Sequence, residues 1–310
     1  MTKILPPAKF RKIRPPNENY TYFEDKDRYP FRPNATTFEL VNSAWLADFA
    51  LLVYGNETFV RKYFKLSGLA DAGFDFTFFD KKTTQCFAAH NRDFVVVSLR
   101  GTEIDNFHGA LVDWMRNFEL IPKPDDSLGK VHEGFQKDIA EVWPDLKSHL
   151  QPLLADGSRT LWITGHSLGA AMATLAAERS VRDGQFAVRG VYTWGSPRVG
   201  DDSFRQRYIE RGLDERTYRM VYDIDVVPKL PPFGGDYVHV GHLKFIDANG
   251  QLHLDMADEA ESLEPNVLKR LGSRWRALLE NLFGRTIPAR FADHAPIYYA
   301  SLIWNNLTQP

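Results

Sequence analysis

The sequence predicts an α/β fold with a doubly wound, mainly parallel sheet and helices on both of its faces. Short apolar runs rich in β-branched and aromatic residues alternate with longer segments whose apolar residues recur at helical spacing. One run, Phe94 to Leu99, is almost continuously apolar, as is typical of a central strand buried on both faces. A chain of 310 residues is long enough to bury the core of such a fold.

The composition excludes several classes of protein. The chain is 44% hydrophobic with a net charge of −2, which gives no reason to expect a nucleic-acid partner. No apolar run is long enough for a transmembrane helix. The single cysteine, Cys86, cannot form an intramolecular disulfide and is expected in a buried strand. Because the N-terminus lacks the apolar segment of a signal peptide, we expect a cytoplasmic protein, with export by another route as the alternative.

The chain is expected to form one domain preceded by an arm. Residues 1–36 are proline-rich and begin with basic residues, which indicates an extended arm that lies on the body or is partly disordered. A membrane-binding or partner-binding tail is the alternative. Residues 37–310 contain no internal repeat and no clean break, so we expect a single domain there.

Each element follows from its apolar spacing. Helices are predicted at 38–54, 106–120, 132–154, 168–182, 203–210 and 265–283, with a last helical stretch that reaches Trp304. Strands are predicted at 74–79, 84–90, 93–100, 161–164, 188–194 and 217–222, and a hairpin at 237–246 and 251–254 turns on Asp247 to Gly250. Helix 106–120 packs on the core or forms a lid over an apolar groove.

One stretch places a serine between a strand and a helix. Leu161 to Thr164 reads as a buried strand, Gly165-His-Ser-Leu-Gly169 follows, and an alanine-rich helical segment comes next. The two glycines would let the strand and the helix cross closely, and the helix N-terminus would supply N–H groups and positive potential. This is the context of a nucleophile elbow with Ser167 as the nucleophile. The alternative is a chance match to the pattern.

A serine nucleophile needs a base, and the base needs an acid to orient it. In chain order the acid should follow a later strand, where Asp223 and Asp225 both lie, and the base should come last, where His294 lies. His239 and His242 have metal-ligand spacing, but no third ligand accompanies them. At the end of strand 93–100, Thr102 could face the same crevice as the serine or simply belong to a turn.

Several motifs together resemble the class 3 (fungal-type) lipase family of α/β-hydrolases. They are Leu99-Arg-Gly-Thr102, Trp114, Val131-His-Glu-Gly-Phe135, Gly165-His-Ser-Leu-Gly-Ala170, Thr193-Trp-Gly-Ser-Pro-Arg-Val-Gly200, Asp225-Val-Val-Pro-Lys-Leu-Pro-Pro232, and Asp293-His294 with Tyr298. They occur in the family's order over about residues 85–300. The family usually has other residues at the positions of Leu99, Trp194 and Ile224, and these small differences concern packing.

The resemblance implies a Ser167, Asp225 and His294 triad and thereby selects Asp225 over Asp223. It also implies that Thr102 and Leu168 donate the N–H groups of an oxyanion hole. The region 103–113 would be the lid, and an insert at about 255–290 is longer than in the family's fungal members.

The implied function is hydrolysis of long-chain or medium-chain acyl esters by a triacylglycerol lipase, through an acyl-enzyme. A phospholipase A1 or a soluble carboxylesterase would use the same triad. A catalytically inactive lipase-like interaction protein is a further alternative from another functional class. No metal or organic cofactor is expected, the substrate would be met at a lipid–water interface, and the oligomeric state is not predicted.

Overall fold

The computed structural model of the chain describes residues 2–101, 123–125, 129–183, 186–231, 237–254 and 292–309. Several predicted features lie outside these residues. They are Thr102, Trp114, the lid at 103–113, the helix at 106–120, and the insert at 255–290 with its helix.

The described elements follow most of the predicted ones. The strands are β1 (Asp75–Asp80), β2 (Gln85–His90), β3 (Phe94–Leu99), β4 (Lys123–Asp125), β5 (Gly129–Val131), β6 (Thr160–His166), β7 (Val188–Trp194), β8 (Gly200–Asp201), β9 (Thr217–Tyr222), β10 (Tyr237–Val238), β11 (His242–Ile246) and β12 (Leu252–His253). The helices are α1 (Phe10–Ile13), α2 (Leu40–Leu52), α3 (Glu57–Leu66), α4 (Glu133–Leu154), α5 (Leu168–Arg182), α6 (Asp202–Glu210) and α7 (Pro296–Thr308). The sequence pattern does not predict α1, α3, β4, β5 or β8. The helix α1 and the three strands are very short, and α3 buries only a few side chains.

An eight-stranded sheet forms the centre of the fold, in the order β1-β2-β3-β6-β7-β9-β11-β12. Strands β3, β6, β7, β9 and β11 run parallel to one another. Strands β1 and β2 at one edge and β12 at the other are antiparallel. The predicted mainly parallel sheet is confirmed, and the carboxyl ends of its parallel strands share one edge, where ligands bind in such folds.

Side chains of the sheet alternate between two apolar cores. In β3, Phe94 and Val96 belong to one core, whereas Val95, Val97 and Leu99 belong to the other. The first core includes α2, α3 and α7, and the second includes α4, α5 and α6. Helices therefore cover both faces of the sheet, as predicted. Cys86 is fully buried in β2, also as predicted.

A second sheet was not predicted, and one glycine divides a predicted strand between the two sheets. It has four strands in the order β10-β8-β5-β4. The sequence predicts one strand from Tyr237 to Ile246, but the structure divides it between the two sheets, with β10 pairing to β8 and β11 to β9. Gly241 lies between the two parts with a φ of +77°, which glycine adopts readily. The chain turns at Gly241 from one sheet to the other.

The described part of the arm, residues 2–36, lies against the first core. Its buried aromatic residues are Tyr20, Tyr22, Phe23 and Phe31. Asp48 of α2 accepts a hydrogen bond from the Tyr20 hydroxyl (2.6 Å) and another from the Phe23 N–H. Nearer the N-terminus, the backbone N–H of Lys3 donates to Oδ1 of Asn305 in α7 (2.6 Å). Buried rings and hydrogen bonds thus hold the arm to both α2 and α7.

Candidate active site

A sharp turn joins β6 to α5 at Ser167. The residue has a φ of +61° and a ψ of −127°, a conformation that L residues rarely adopt. Its N–H donates to the carbonyl of Trp194 (2.9 Å), and its own carbonyl accepts from the N–H of Ala170 (2.9 Å). These bonds hold the serine between the carboxyl end of β6 and the N-terminus of α5.

Two glycines allow this close crossing of strand and helix. A Cβ atom on Gly165 would overlap the backbone of Gly169 and Ala170. A Cβ atom on Gly169 would overlap the carbonyl of Leu99 at the end of β3. A side chain at either position would push α5 away from the sheet and displace Ser167.

Asp225 lies just beyond the carboxyl end of β9. Its N–H donates to the carbonyl of Tyr222 (2.9 Å), and its Oδ1 accepts from the N–H of Val227 (2.9 Å). The residue is fully buried. A buried carboxylate needs hydrogen-bond donors, and Val227 supplies one on the side away from the histidine.

His294 lies in the turn that precedes α7, and it meets Asp225. The Nδ1 atom of His294 is 2.8 Å from Oδ2 of Asp225, and both residues are fully buried. Because the carboxylate oxygen accepts, Nδ1 carries the proton and Nε2 is the basic nitrogen of the neutral ring. Of the two acids that spacing left open, Asp225 makes this contact.

Tyr299 also contacts Asp225, and sequence analysis did not single it out. Its hydroxyl donates to Oδ2 of Asp225 (2.6 Å) and accepts from the N–H of Tyr222 (3.1 Å). Burial, and then the charge of Asp225, raise the pKa of Tyr299 well above its usual value. The resemblance points to Tyr298, whose hydroxyl instead donates to the carbonyl of Pro6 (2.8 Å). A pair of tyrosines in the first turns of a helix after the histidine was the available signal.

Gly195 leaves the space that the acid and the histidine fill. It follows β7, has a φ of +56°, and donates its N–H to the carbonyl of Met220 (3.0 Å). A Cβ atom there would lie 2.8 Å from Oδ2 of Asp225 and 2.9 Å from Nδ1 of His294. Both the backbone conformation and the lack of room therefore require glycine.

Two further carboxyl groups lie beside the Asp225–His294 pair. Asp293 directly precedes the histidine, and Asp223 leaves β9 with a φ of +36°. Partial burial, followed by the charges of Asp223 and Asp225, raises the pKa of Asp293 to about 6. This side of the site therefore has a negative electrostatic potential once Asp293 is ionised.

The end of β3 passes directly beside the serine. A Cβ atom on Gly101 would lie 2.9 Å from the carbonyl oxygen of His166 and 3.3 Å from the Cβ of Ser167. Leu168 is the first residue of α5, so its N–H belongs to the N-terminus of that helix. Thr102 follows Gly101 and lies outside the described residues. The oxyanion roles of Leu168 and Thr102 stay predictions.

Three other histidines that follow Ser167 in the chain have other surroundings. The Nε2 of His239 contacts a backbone carbonyl (2.8 Å), and the exposed His242 stacks on Tyr218. His253 pairs with Asp247 (3.0 Å). Among the described residues, no group of three or more His, Cys, Asp or Glu side chains is arranged to hold a metal ion. None of the described helices is long and apolar enough to cross a membrane.

The fold and the site define a class of protein. A mainly parallel sheet, a serine on a strained turn from strand to helix, and an acid and a histidine in that later order form the arrangement of the α/β-hydrolases. Residues 96–235 match the family model of the lipases of class 3. The match includes Ser167 and Asp225 and ends before His294.

Curated relatives match a similar share of the chain. The secreted mono- and diacylglycerol lipase 1 of Fusarium solani is 35% identical over 156 residues, which are 49% of this chain and 44% of that protein. The lipase of Rhizomucor miehei is 33% identical over 149 residues, which are 45% of this chain and 40% of that protein. The chain therefore spans less than half the length of these two relatives.

Solved structures show the same fold. Lipase II from Rhizopus niveus superposes with a TM-score of 0.58 at 22% identity and covers 67% of this chain and 81% of that one. A triacylglycerol lipase whose structure is described as having a serine protease triad in its catalytic centre superposes with a TM-score of 0.61 at 23% identity. That superposition covers 74% of this chain and 91% of the other. These likenesses establish the α/β-hydrolase fold.

The relatives contradict one prediction from the sequence. Proteins from Fusarium solani, Malassezia globosa and Penicillium cyclopium that resemble this chain are named as secreted lipases. The prediction of a cytoplasmic protein is therefore wrong. That prediction depended on the absence of a recognisable signal peptide.

Proposed function

We propose that the chain is a serine carboxylic-ester hydrolase that cleaves the acyl esters of neutral glycerolipids, as a triacylglycerol lipase does. The observation that carries the proposal is the 2.8 Å contact between Nδ1 of His294 and Oδ2 of Asp225, buried in a chain whose Ser167 is held in a strained elbow. A serine hydroxyl is a weak nucleophile and requires an oriented base of this kind.

In the proposed reaction, Nε2 of His294 takes the proton from the hydroxyl of Ser167 as Oγ attacks the ester carbonyl. Asp225 holds the proton on Nδ1 and stabilises the imidazolium that forms. The imidazolium then protonates the leaving alcohol, and an acyl-enzyme remains. Water, activated by the same histidine, releases the fatty acid and restores the serine.

The oxyanion of the tetrahedral intermediate would be held by the N–H groups of Leu168 and Thr102. Leu168 supports this role because its N–H lies at the N-terminus of α5, where helical N–H groups and the helix dipole favour negative charge. Thr102 supports it because Gly101, the residue before it, lies against the serine. Loss of one such donor typically lowers kcat by about 100-fold to 1,000-fold.

Two observations favour neutral acylglycerols as substrates. Asp223 and Asp293 add negative charge beside the triad, which would repel the phosphodiester of a phospholipid. Several relatives are named mono- and diacylglycerol lipases. The region 103–113 would act as a lid that opens at the lipid–water interface. A soluble carboxylesterase would instead show no increase in rate when the substrate exceeds its solubility.

The test measures hydrolysis of emulsified mono-, di- and triacylglycerols and of phosphatidylcholine by the wild type, Ser167→Ala and Ser158→Ala. Ser158 is exposed, so its variant controls for the substitution itself. We expect Ser167→Ala alone to lose activity and labelling by a fluorophosphonate, and acylglycerols to be cleaved faster than the phospholipid. A wild type that neither hydrolyses an ester nor reacts with the fluorophosphonate would be an inactive interaction protein, and the proposal would fail.

A further inference from the structure

Behind the nucleophile elbow, buried polar groups form a hydrogen-bonded chain. Tyr54 follows α2, and its hydroxyl is 2.8 Å from Nδ1 of His166. Nε2 of the same histidine is 2.7 Å from the carbonyl oxygen of His294. The backbone N–H of Gly101 bonds to the Tyr54 hydroxyl. Tyr54 is 2% exposed, and both histidines are fully buried.

The chemistry of the groups fixes the direction of each bond. A carbonyl oxygen can only accept, so Nε2 of His166 must carry the proton. Nδ1 of the neutral ring then accepts from the hydroxyl of Tyr54, and the tyrosine oxygen in turn accepts from Gly101. All the bonds point the same way, from the end of β3 to the backbone of His294, and bonds aligned in this manner strengthen one another.

His166 stays neutral in this position. Burial, followed by the nearby His294, lowers the pKa of His166 well below its usual value. The centroids of the two imidazole rings are 4.5 Å apart. A protonated His166 would repel the imidazolium that His294 becomes during the reaction, so a neutral ring is the form that suits this neighbour.

This chain of hydrogen bonds connects three parts of the site. His166 directly precedes Ser167 at the end of β6, and its other contact is the backbone of His294. Through Tyr54 it reaches Gly101, the residue before the proposed oxyanion donor Thr102. No other side chain in the described residues bonds to both His166 and the Gly101 backbone.

We propose that Tyr54 and His166 are positioning residues that fix the base, the nucleophile and the oxyanion loop in their positions relative to one another. The inference rests on the proposed function. Neither side chain touches the reacting atoms. Their contribution is geometric, because displacement of a catalytic group by about 1 Å can lower a rate by about 100-fold.

The test compares Tyr54→Phe with two substitutions at His166. His166→Gln keeps an N–H near the position of Nε2, and so the bond to His294, whereas His166→Asn keeps only an acceptor near the position of Nδ1. Tyr192→Phe is the matched control, because Tyr192 is fully buried in the same core and its hydroxyl accepts from the N–H of Glu39 (3.0 Å) away from the site.

We expect Tyr54→Phe and His166→Asn to lower kcat by about 10-fold to 100-fold with KM changed by less than about twofold. His166→Gln should keep more activity than His166→Asn, and Tyr192→Phe should keep the wild-type kcat. Equal kcat values for Tyr54→Phe and Tyr192→Phe, measured on variants with the same thermal midpoint, would overturn the inference.

A measurement on the unaltered protein guards against variants that do not fold. Nitrogen NMR of the histidine side chains should show His166 neutral, with the proton on Nε2, across about pH 5–8, the range in which an unperturbed histidine titrates. Titration of His166 in that range, or a proton on Nδ1, would overturn the inference. A wild type that hydrolyses no ester would overturn the proposed function instead, since the NMR measurement does not depend on activity.

Discussion

The hydroxyl of Tyr299 donates a 2.6 Å hydrogen bond to Oδ2 of Asp225, the same oxygen that His294 contacts through Nδ1. Two donors therefore share one carboxylate oxygen. Each donor withdraws negative charge from that oxygen. The bond from Tyr299 therefore weakens the hydrogen bond that Asp225 accepts from Nδ1 of His294. The same bond fixes the direction of the carboxylate, which the histidine needs.

We expect Tyr299→Phe to shift the acid limb of the pH–rate profile to higher pH, because Asp225 then stabilises the imidazolium of His294 more strongly. We also expect kcat/KM to fall by about tenfold, because the lost bond no longer fixes the direction of the Asp225 carboxylate. A hydrogen bond to a charged group is worth about 1.5–3 kcal/mol, and relaxation of the site recovers part of that free energy. Tyr298→Phe is the control on the same helix, because its hydroxyl bonds to Pro6. An acid limb that moves to lower pH would contradict the assignment.

Asp293→Asn should change the pH dependence of stability. The pKa of Asp293 is raised from 3.8 to about 6 in the folded protein, so the folded state binds the proton more tightly than the unfolded state. Its ionisation therefore lowers the free energy of unfolding as the pH rises from about 4 to 6, and the loss persists above pH 6.

The asparagine variant has no such ionisation. It should be more stable than the wild type at pH 7 and lose this advantage below about pH 4. Chemical denaturation at both pH values measures the difference. A variant less stable than the wild type at pH 7 would show that the carboxylate makes a favourable contact there.

Gly195→Ala tests the space between the acid and the histidine. Gly212→Ala is the control, because Gly212 has a similar φ of +66° but nothing within 4 Å of an added Cβ. Both variants should lose about 1 kcal/mol from backbone strain. Only Gly195→Ala should also lose most of its esterase activity, since the methyl group would displace Asp225 or His294. Similar activity in the two folded variants would contradict this account.

Asp48 should hold the N-terminal arm to α2. In Asp48→Ala, the Tyr20 hydroxyl and the Phe23 N–H lose their buried acceptor, which should lower the free energy of unfolding by about 2–4 kcal/mol. Asp71→Ala, an exposed position, should change it by less than about 0.5 kcal/mol. Thermal unfolding of both variants makes the comparison, and equal midpoints would mean that the arm contributes little.

Local patterns predicted the central part of the fold because its signals are local. The strand before Ser167, the two glycines and the alanine-rich helix lie next to one another in the chain, and the structure assembles them as adjacent elements. The parallel order of the strands follows from alternation of strand and helix. The acid could not be chosen this way, because Asp223 and Asp225 both follow β9, and the choice came from the family resemblance.

The parts that the sequence did not predict depend on contacts between distant segments. Tyr299 reaches Asp225 across 74 positions, and Tyr54 reaches His166 across 112. No spacing rule identifies such partners among the many tyrosines of the chain. The second sheet was missed for a similar reason, since its short strands are defined by their pairing and not by any periodicity.

The position of α7 has a consequence for the order in which the site is completed during synthesis. His294 and Tyr299, the two side chains that contact Oδ2 of Asp225, are both supplied by the turn and helix at residues 292–309. A nascent chain that has already folded β3, β6 and the elbow still has a serine without its base. The proposed base therefore joins the serine only once residues 292–309 have docked on α2.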